Sequence, residues 1–378
     1  MSHTRRELFR SASAGIVGAG VGGSSLSFIA QPATSNGFEI LVAASNAPAS
    51  MQAIADFVCT GTADQNQINA AVNVANQSDT LGGVVRLSPG TFKVNGPILL
   101  RKRVSLIGCG RASRIESVTG GYGGVIRTAT AAEDKISISH LAIHGLGQNI
   151  NGILLNATSN AGFDEGSPDA ANYVSDVYVS NVGLAGIAVT GARGRASMVT
   201  RVRVLNAGTW GFNITAPDGF YSQCESGSSG FDGFRVANGN NRFVNCKAWF
   251  ADRSGFEISA NRNQFSGCEA QDNQWHGFSI RAGQVSLSAC HADSNSWNSA
   301  SPTSSFDGFF VHANRGFVQL VGCQAYDKNE SNRGFHQRYG FHFGGNNSFC
   351  QVTGAARDNV IGKLKTGTGT GNSIEVVG

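Results

Sequence analysis

Residues 233–254 read GFRVANGNNRFVNCKAWFADRS, and this unit of 22 residues recurs along the middle of the chain. Each regular unit opens with a Gly-Phe pair and carries a cysteine 13 residues later. A fixed period of this length is the sequence signature of a protein built from stacked repeats. The glycines of the pairs are Gly211, Gly233, Gly255, Gly277, Gly308 and Gly340, and the cysteines are Cys224, Cys246, Cys268, Cys290 and Cys323.

The residues inside each unit favour short β-strands over helices. Runs such as Gly233-Phe234-Arg235-Val236 alternate apolar and polar residues, and Gly or Asn interrupts the chain every few positions. One coil per repeat, built from short strands, predicts an all-β fold: a right-handed parallel β-helix. The handedness follows from the crossover rule for parallel strands.

The cysteines of the repeats are predicted to face the core. At the same offset, the weaker upstream repeats carry Val202, Val177 and Ile143, so the position accepts apolar residues. A free cysteine behaves there as a small hydrophobic side chain. Stacked inward-facing side chains run parallel, which disfavours disulfide geometry. We therefore expect mostly free thiols among the 8 cysteines of the chain.

Composition excludes several classes of function. Charged residues make up 14% of the 378 residues, the net charge is +4, and the chain contains 50 glycines. The basic residues are scattered, so no nucleic-acid partner is predicted. No apolar run predicts a membrane span in the mature chain. No Cys or His spacing indicates zinc, and we predict no cofactor; a calcium ion is compatible with the sequence but nothing indicates one.

The N-terminus resembles an export signal. Residues 4–10 read TRRELFR, close to the twin-arginine motif, and a Gly/Ala-rich stretch follows from Ala12 to Ala30. We assign 1–37 to a twin-arginine signal peptide and leader. The resemblance implies secretion by the twin-arginine export machinery as a folded protein. It also implies that the buried thiols are enclosed before they leave a reducing compartment.

The residues before the repeats predict a capped first coil. Ile68, Ala71, Val72 and Ala75 have helical spacing, with Thr62 or Asp64 as the cap. This helix, at 64–76, would cover the open end of the coil. The domains are then 38–118 for the cap and first coils, 119–361 for the β-helix, and 362–378 for a flexible link and a last strand.

Beside the helix lies a motif that resembles a known family. Residues 82–92 read GGVVRLSPGTF, followed by Ile98-Leu99-Leu100 and by VSLIGCG at 104–110. The series is similar to the N-terminal module of the pectate-lyase-like superfamily, which includes tailspike-type and secreted polysaccharide-active proteins. The resemblance implies a polysaccharide partner and covers lyases, hydrolases, epimerases and non-catalytic binders. The catalytic signatures of polygalacturonases and alginate epimerases are absent, so no catalytic residue is carried over.

Candidate site residues come from the strand alternation. In each Gly-Phe strand the residue before the glycine, the one after the phenylalanine and the one two further on are predicted to face outward. Near the C-terminal end these columns bring together His276, Asp307 and Tyr339, which we predict to be catalytic. The predicted substrate-binding residues are Arg281, His312, His342, Trp275, Trp297, Asp232, Arg235 and Glu257.

Three functions remain open at this point. A β-eliminating lyase needs a base, a proton donor and a cation, for which His276, Tyr339 and Arg281 are the right types. A glycosidase needs two carboxylates about 5–9.5 Å apart. Asp232 and Glu257 are expected to lie roughly 11 Å apart, so a loop carboxylate such as Asp293, Asp327 or Glu330 would have to complete the pair. The third is a non-catalytic glycan-binding or cell-surface protein, favoured if no carboxylate or histidine on this face is perturbed.

Overall fold

The computed structural model describes residues 39–77, 82–131, 133–156, 172–191, 197–297, 305–328 and 336–378. Their strands pair in parallel and form an 11-stranded and a 21-stranded sheet. The predicted right-handed parallel β-helix is the observed fold. The predicted signal peptide at 1–37 lies outside the described residues. No helix among the described residues is long and apolar enough to cross a membrane.

The elements follow one another in short coils. The helices are α1 (Ala49–Gln52) and α2 (Gln65–Ala75), and a 3-10 turn spans Gly110–Ala112. The strands are β1 (Glu39–Ala43), β2 (Phe57–Val58), β3 (Gly83–Leu87), β4 (Gly90–Val94), β5 (Ile98–Leu100), β6 (Val104–Ile107), β7 (Ser113–Ser117), β8 (Gly124–Thr128), β9 (Ser137–His144), β10 (Asn151–Asn156), β11 (Tyr173–Val182), β12 (Ile187–Thr190), β13 (Met198–Thr200), β14 (Arg203–Ala207), β15 (Phe212–Ile214), β16 (Phe220–Ser222), β17 (Glu225–Gly227), β18 (Phe234–Val236), β19 (Arg242–Val244), β20 (Lys247–Trp249), β21 (Phe256–Ile258), β22 (Gln264–Ser266), β23 (Glu269–Gln271), β24 (Phe278–Ile280), β25 (Ser286–Ser288), β26 (His291–Asp293), β27 (Phe309–Val311), β28 (Gln319–Tyr326), β29 (Tyr339–Phe343), β30 (Gln351–Arg357), β31 (Gly362–Lys365) and β32 (Ser373–Val377).

The Gly-Phe strands stack on one another in the 11-stranded sheet, here called the Phe sheet. Phe234 pairs with Phe256 and Phe256 with Phe278, which is the register that the period of 22 predicts. Their buried rings stack face to face, with centroids 4.7 and 4.8 Å apart. This aromatic column fills the core on that side, as the strand alternation predicts. The Phe sheet contains β5, β8, β10, β12, β15, β18, β21, β24, β27, β29 and β31.

The remaining strands form the 21-stranded sheet, here called the Cys sheet, which bends at one corner per coil. The corner residue has a left-handed backbone, as at Asn245 with φ 53°. The cysteine that follows each corner points inward: Cys224, Cys246, Cys268, Cys290 and Cys323 are buried and free. The predicted inward column of free thiols is confirmed.

Helix α2 caps the first coil as predicted. Its buried face carries Ile68, Ala71, Val72 and Ala75. The Asn69 side chain takes the hydrogen bonds that a neighbouring strand would otherwise form with β5. It donates to the Pro97 carbonyl at 2.9 Å and accepts from the Leu99 N–H at 2.8 Å. The open edge of the first coil is therefore satisfied by side chains of the helix.

The last residues form a complete coil. The predicted last strand is β32, which pairs with β30. The link expected from Gly362 onward begins later, because Gly362–Lys365 is strand β31, which pairs with β29 and extends the Phe sheet. The Gly/Thr-rich residues 366–372 lie between β31 and β32 and belong to neither strand.

Candidate active site

The site lies where the Cys sheet turns into the Phe sheet. We call this turn the Gly corner, because it leads into each Gly-Phe pair. The insertions expected at 294–306 and 327–338 follow β26 and β28 and precede β27 and β29, so both fall at this corner. Residues 298–304 and 329–335 of these insertions lie outside the described residues.

The residues before the glycines are less exposed than predicted. His276 is 7% exposed, Asp307 0% and Asp232 5%, whereas the alternation rule places their side chains in solvent. The rule fails because these residues sit at a corner, where the neighbouring side chains fold over them. The ring of Phe306, for example, lies edge-on to His276 at 5.1 Å. Tyr339 remains partly exposed.

Asp307 is the centre of a hydrogen-bonded cluster. Arg338 donates to both of its carboxylate oxygens, from Nε and Nη2, at 2.8 Å each. His342 Nδ1 donates to Oδ2 at 2.8 Å, and the Tyr339 backbone N–H donates to Oδ1 at 3.3 Å. A buried carboxylate is stable only with such partners. One side chain therefore positions three neighbours.

The hydrogen bonds determine the tautomers of the two histidines. His342 Nδ1 lies 2.8 Å from Asp307 Oδ2, which can only accept, and 3.1 Å from Arg338 Nη2, which can only donate; the shorter contact, to the carboxylate, assigns a proton to Nδ1. In its neutral form, His342 then has its lone pair on Nε2. His276 is the opposite case: its Nδ1 accepts the backbone N–H of Asp307 at 3.0 Å, so its neutral ring carries the proton on Nε2.

This arrangement corrects the predicted pairing of Asp307 with His276. The Asp307 carboxylate lies 3.7 Å from His276 Nδ1 and instead accepts hydrogen bonds from Arg338 and His342. Burial lowers the pKa of His276 to about 3, although the charge of Asp307 opposes the shift. His276 is thus a neutral residue that holds the Asp307 backbone.

The pKa of Asp307 moves in the direction that keeps it charged. Burial alone would raise this pKa, but the hydrogen bonds from Arg338 and His342 outweigh burial and lower it. His312 behaves like His276: burial, followed by the charges of Arg281 and Arg315, lowers its pKa to about 4. Its Nε2 lies 3.1 Å from the Ser279 hydroxyl.

The other predicted binding residues are distributed along the same edge. Arg281 is exposed and forms an ion pair with Glu257. Trp275 is 37% exposed and stacks on Phe306, with centroids 5.4 Å apart. Trp297 instead packs against Phe250, on the side of the corner that faces the Cys sheet.

A second group of charged residues lies lower on the face. Burial, followed by the charge of Glu257, raises the pKa of Asp232 to about 6. Asp232 also accepts the Ser254 N–H at 3.1 Å. Arg235 donates to Asn213 at 2.9 Å and lies 4.9 Å from the ring of Trp210. Asp232 and Glu257 are therefore close enough for their charges to interact.

The loop carboxylates considered for a glycosidase are engaged elsewhere. Asp293 is buried and forms an ion pair with Lys328 at 2.6 Å. Asp327 is buried and accepts the backbone N–H of Gln337 at 2.7 Å. Glu330 lies outside the described residues. Neither described carboxylate points into the group around Asp307.

Sequence reasoning missed Arg338, which holds Asp307. It lies in an insertion, where the period of 22 no longer predicts the register. The available signal was the position two residues before each glycine, which forms a column of arginine and aromatic side chains. Arg253 lies over the rings of Phe231 and Trp275, at 4.2 and 5.3 Å. The column is Phe231, Arg253, Trp275, Phe306 and Arg338.

Solved structures with this fold are similar in architecture and distant in sequence. The A-module of the mannuronan C-5 epimerase AlgE4 of Azotobacter vinelandii gives a TM-score of 0.59 at 14% identity, over 85% of this chain and 96% of that one. The tailspike protein 2 of bacteriophage CBA120 gives a TM-score of 0.65 at 16% identity, over 82% of this chain and 48% of that one. A GH87 α-1,3-glucanase catalytic domain in complex with tetrasaccharides gives a TM-score of 0.56 at 12% identity, over 91% of this chain and 70% of that one.

These similarities bear on the fold and not on the chemistry. The chain spans about half the length of the tailspike, with 48% of it covered. No family model and no curated protein matches the sequence. The residues around Asp307 must therefore be judged by their own geometry. The chain has a right-handed parallel β-helix fold, and its architecture is similar to that of the epimerase, tailspike and glucanase structures.

Proposed function

We propose that the protein is a secreted polysaccharide-active enzyme that cleaves an acidic glycan by β-elimination at the Asp307 cluster. The observation that carries the proposal is the hydrogen bond from His342 to the buried carboxylate of Asp307. Secretion is supported by the twin-arginine-like residues at the N-terminus. Glycan-active proteins among the solved structures with this fold support the substrate class.

His342 is the proposed base. With Nδ1 donating to Asp307, the lone pair of this largely buried side chain, 8% exposed, lies on Nε2, which is the atom proposed to take the proton. Asp307 stays ionised and stabilises the imidazolium that forms. Arg338 keeps Asp307 in place through its two-point contact, so the base is held by residues that do not touch the substrate.

Tyr339 is the proposed proton donor. Its backbone N–H donates a hydrogen bond to Asp307, and its ring lies 5.6 Å from the ring of His342. The tyrosine hydroxyl and the imidazole are therefore proposed to act on one sugar unit. In the reaction, His342 takes the C5 proton of a uronate, a C4–C5 double bond forms, and the C4–O bond breaks. Tyr339 then protonates the leaving oxygen.

Arg281 is the proposed partner of the substrate carboxylate. It is exposed and lies next to His312, whose pKa its charge helps to lower. A uronate would compete with Glu257 for its guanidinium. Pairing the carboxylate with a cation eases the charge that develops when the neighbouring carbon loses its proton.

Hydrolysis is the second candidate, and one observation favours it. Burial and the charge of Glu257 raise the pKa of Asp232 to about 6, and a general acid with a second carboxylate nearby is what this mechanism requires. A binding-only protein is less favoured, since histidines and carboxylates on this face are perturbed.

The products of a polysaccharide panel test the proposal. The mature protein is incubated with acidic and neutral polysaccharides, and both reducing ends and unsaturated uronates are measured. We expect both signals from at least one acidic polysaccharide. Reducing ends without unsaturation would instead identify a hydrolase, and binding without either product would identify a recognition protein.

A further inference from the structure

A groove of about 650 Å³ follows the Gly corner of the lower coils, below the group around Asp307. It runs from His144 to Asp252 and crosses five successive coils. With about 4.8 Å between stacked strands, it is roughly 19 Å long. None of its lining residues belongs to the proposed catalytic machinery.

The groove exists because three successive coils have no side chain at one corner position. A Cβ on Gly208 would lie 2.4 Å from the Gly183 carbonyl oxygen, and one on Gly230 would lie 2.4 Å from that of Gly208. Close stacking of these coils therefore requires glycine at positions 208 and 230. Asp252 occupies the position in the next coil and bounds the groove at its upper end.

Amide side chains line the groove. Asn206 donates to the Asn181 side-chain oxygen at 3.0 Å. His144 Nδ1 lies 2.9 Å from the Ser180 hydroxyl. An amide has two donors and an acceptor with two lone pairs, so this row retains hydrogen-bonding capacity toward solvent. Such a pre-arranged row suits a ligand rich in hydroxyl groups.

The charge of the groove argues against an acidic ligand. Its described lining contains no Lys or Arg, and its only carboxylate is Asp252, which accepts from the Gln274 amide at 2.7 Å. Burial, followed by the charge of Arg114, lowers the pKa of His144, so its ring stays uncharged at neutral pH. Among the residues that line the groove, an anionic sugar would meet a carboxylate and no cationic side chain.

We propose that this groove binds an uncharged, hydroxyl-rich stretch of glycan, as a site separate from the Asp307 cluster. Asp252 lies one coil below Gln274 and Trp275, so a chain leaving the groove along the corner passes the exposed ring of Trp275, one coil below Asp307. The substrate would then be a heteropolysaccharide with a neutral stretch and an acidic unit. This last step rests on the proposed function, whereas the neutral site does not.

Binding of neutral oligosaccharides to matched asparagine variants tests the groove. The mature protein is titrated against an array of neutral hexose and N-acetylhexosamine oligosaccharides, with oligomannuronate as the acidic probe. Asn206→Ala removes a lining amide, and Asn245→Ala is the control. Both residues are exposed asparagines with left-handed backbones, φ 55° and 53°, but Asn245 lies at the corner of the Cys sheet.

We expect a neutral probe to bind the wild-type protein and Asn245→Ala alike. Asn206→Ala should weaken binding about fivefold, the effect of one hydrogen bond. Absence of binding by every neutral probe, or equal affinity in both variants, would overturn the proposal. His342→Gln should bind the neutral probe normally, so failure of the catalytic proposal leaves this result unchanged.

Discussion

Asp307 and Arg338 lie 31 residues apart in the sequence and form a two-point ion pair, with both nitrogen–oxygen distances at 2.8 Å. The pair joins two successive coils at the Gly corner. The same carboxylate accepts from His342, so the contact that holds the coils together also positions the proposed base. Stability and activity should therefore depend on the same residue.

Asp307→Asn tests this double role. Removing the charge leaves the Arg338 guanidinium without its anion and should cost about 3 kcal/mol of unfolding free energy. As a positioning residue, Asp307 should affect kcat much more than KM. Denaturant unfolding and steady-state kinetics measure the two effects, and Asp358→Asn, at an exposed carboxylate, is the control. A variant with unchanged kcat would show that the ion pair is only structural.

The pH dependence of stability should show that the pKa of Asp232 is raised in the folded protein. Its pKa in the folded protein is about 6, above its ordinary value of 3.8, so between these values the folded state binds more protons than the unfolded state. Stability contributed by this group is therefore complete at low pH and falls as the pH rises toward 6, by roughly 2–3 kcal/mol.

Asp232→Asn should remove that part of the pH dependence. The variant should gain stability relative to the wild type at pH 7 and much less at pH 4. Thermal unfolding across this range measures the difference, again with Asp358→Asn as the control. If both variants follow the wild-type curve, Asp232 is not buried in the way the structure shows.

The thiols offer a test of the core. Cys109 is exposed, whereas Cys246 and the other inward-facing cysteines of the repeats are buried. Burial also raises the pKa of the Cys246 thiol. A thiol reagent should label Cys109 quickly in the native protein and the column only after unfolding. Cys246→Ser should cost about 1–3 kcal/mol, and Cys246→Val should be tolerated better, because Val202 fills the same column. Rapid labelling of the whole column would contradict the packing.

The helical cap can be tested with two asparagines on one helix. Asn69 hydrogen-bonds the backbone at Pro97 and at Leu99 of β5, whereas Asn73, within the part of the chain that the structure describes, accepts from the Arg101 side chain. Asn69→Ala should lower stability by about 2 kcal/mol, because two backbone groups of the edge strand lose their partners. Asn73→Ala should have little effect. Equal losses would mean that the cap works through its apolar face alone.

The regular coils could be predicted from the sequence because each residue type repeats with the coil. The register of Phe234 with Phe256 and the inward position of Cys246 follow from a period of 22 and from strand alternation. Both signals are local, and both are preserved from coil to coil. The cap was predictable for the same reason, since helical spacing places Ile68 and Val72 on one face.

The site could be predicted only in part, because it forms where the repeat is broken. Asp307 and His342 were found from their columns, but their contact was not, since it depends on the bend at the corner. Arg338 follows an insertion whose length carries no register. His276 was predicted as the base because its exposure could not be read from alternation at a corner.

The most direct test of the account is the formation of unsaturated uronates by His342→Gln. The substitution keeps a side chain of similar polarity but removes the imidazole that is proposed to take the proton. His291→Gln, on the outer face of the Cys sheet, is the matched control. We expect the initial rate on an acidic polysaccharide to fall by roughly 10²–10⁴ in His342→Gln and to stay near wild type in His291→Gln. A wild-type rate in His342→Gln would contradict the assignment of the catalytic base.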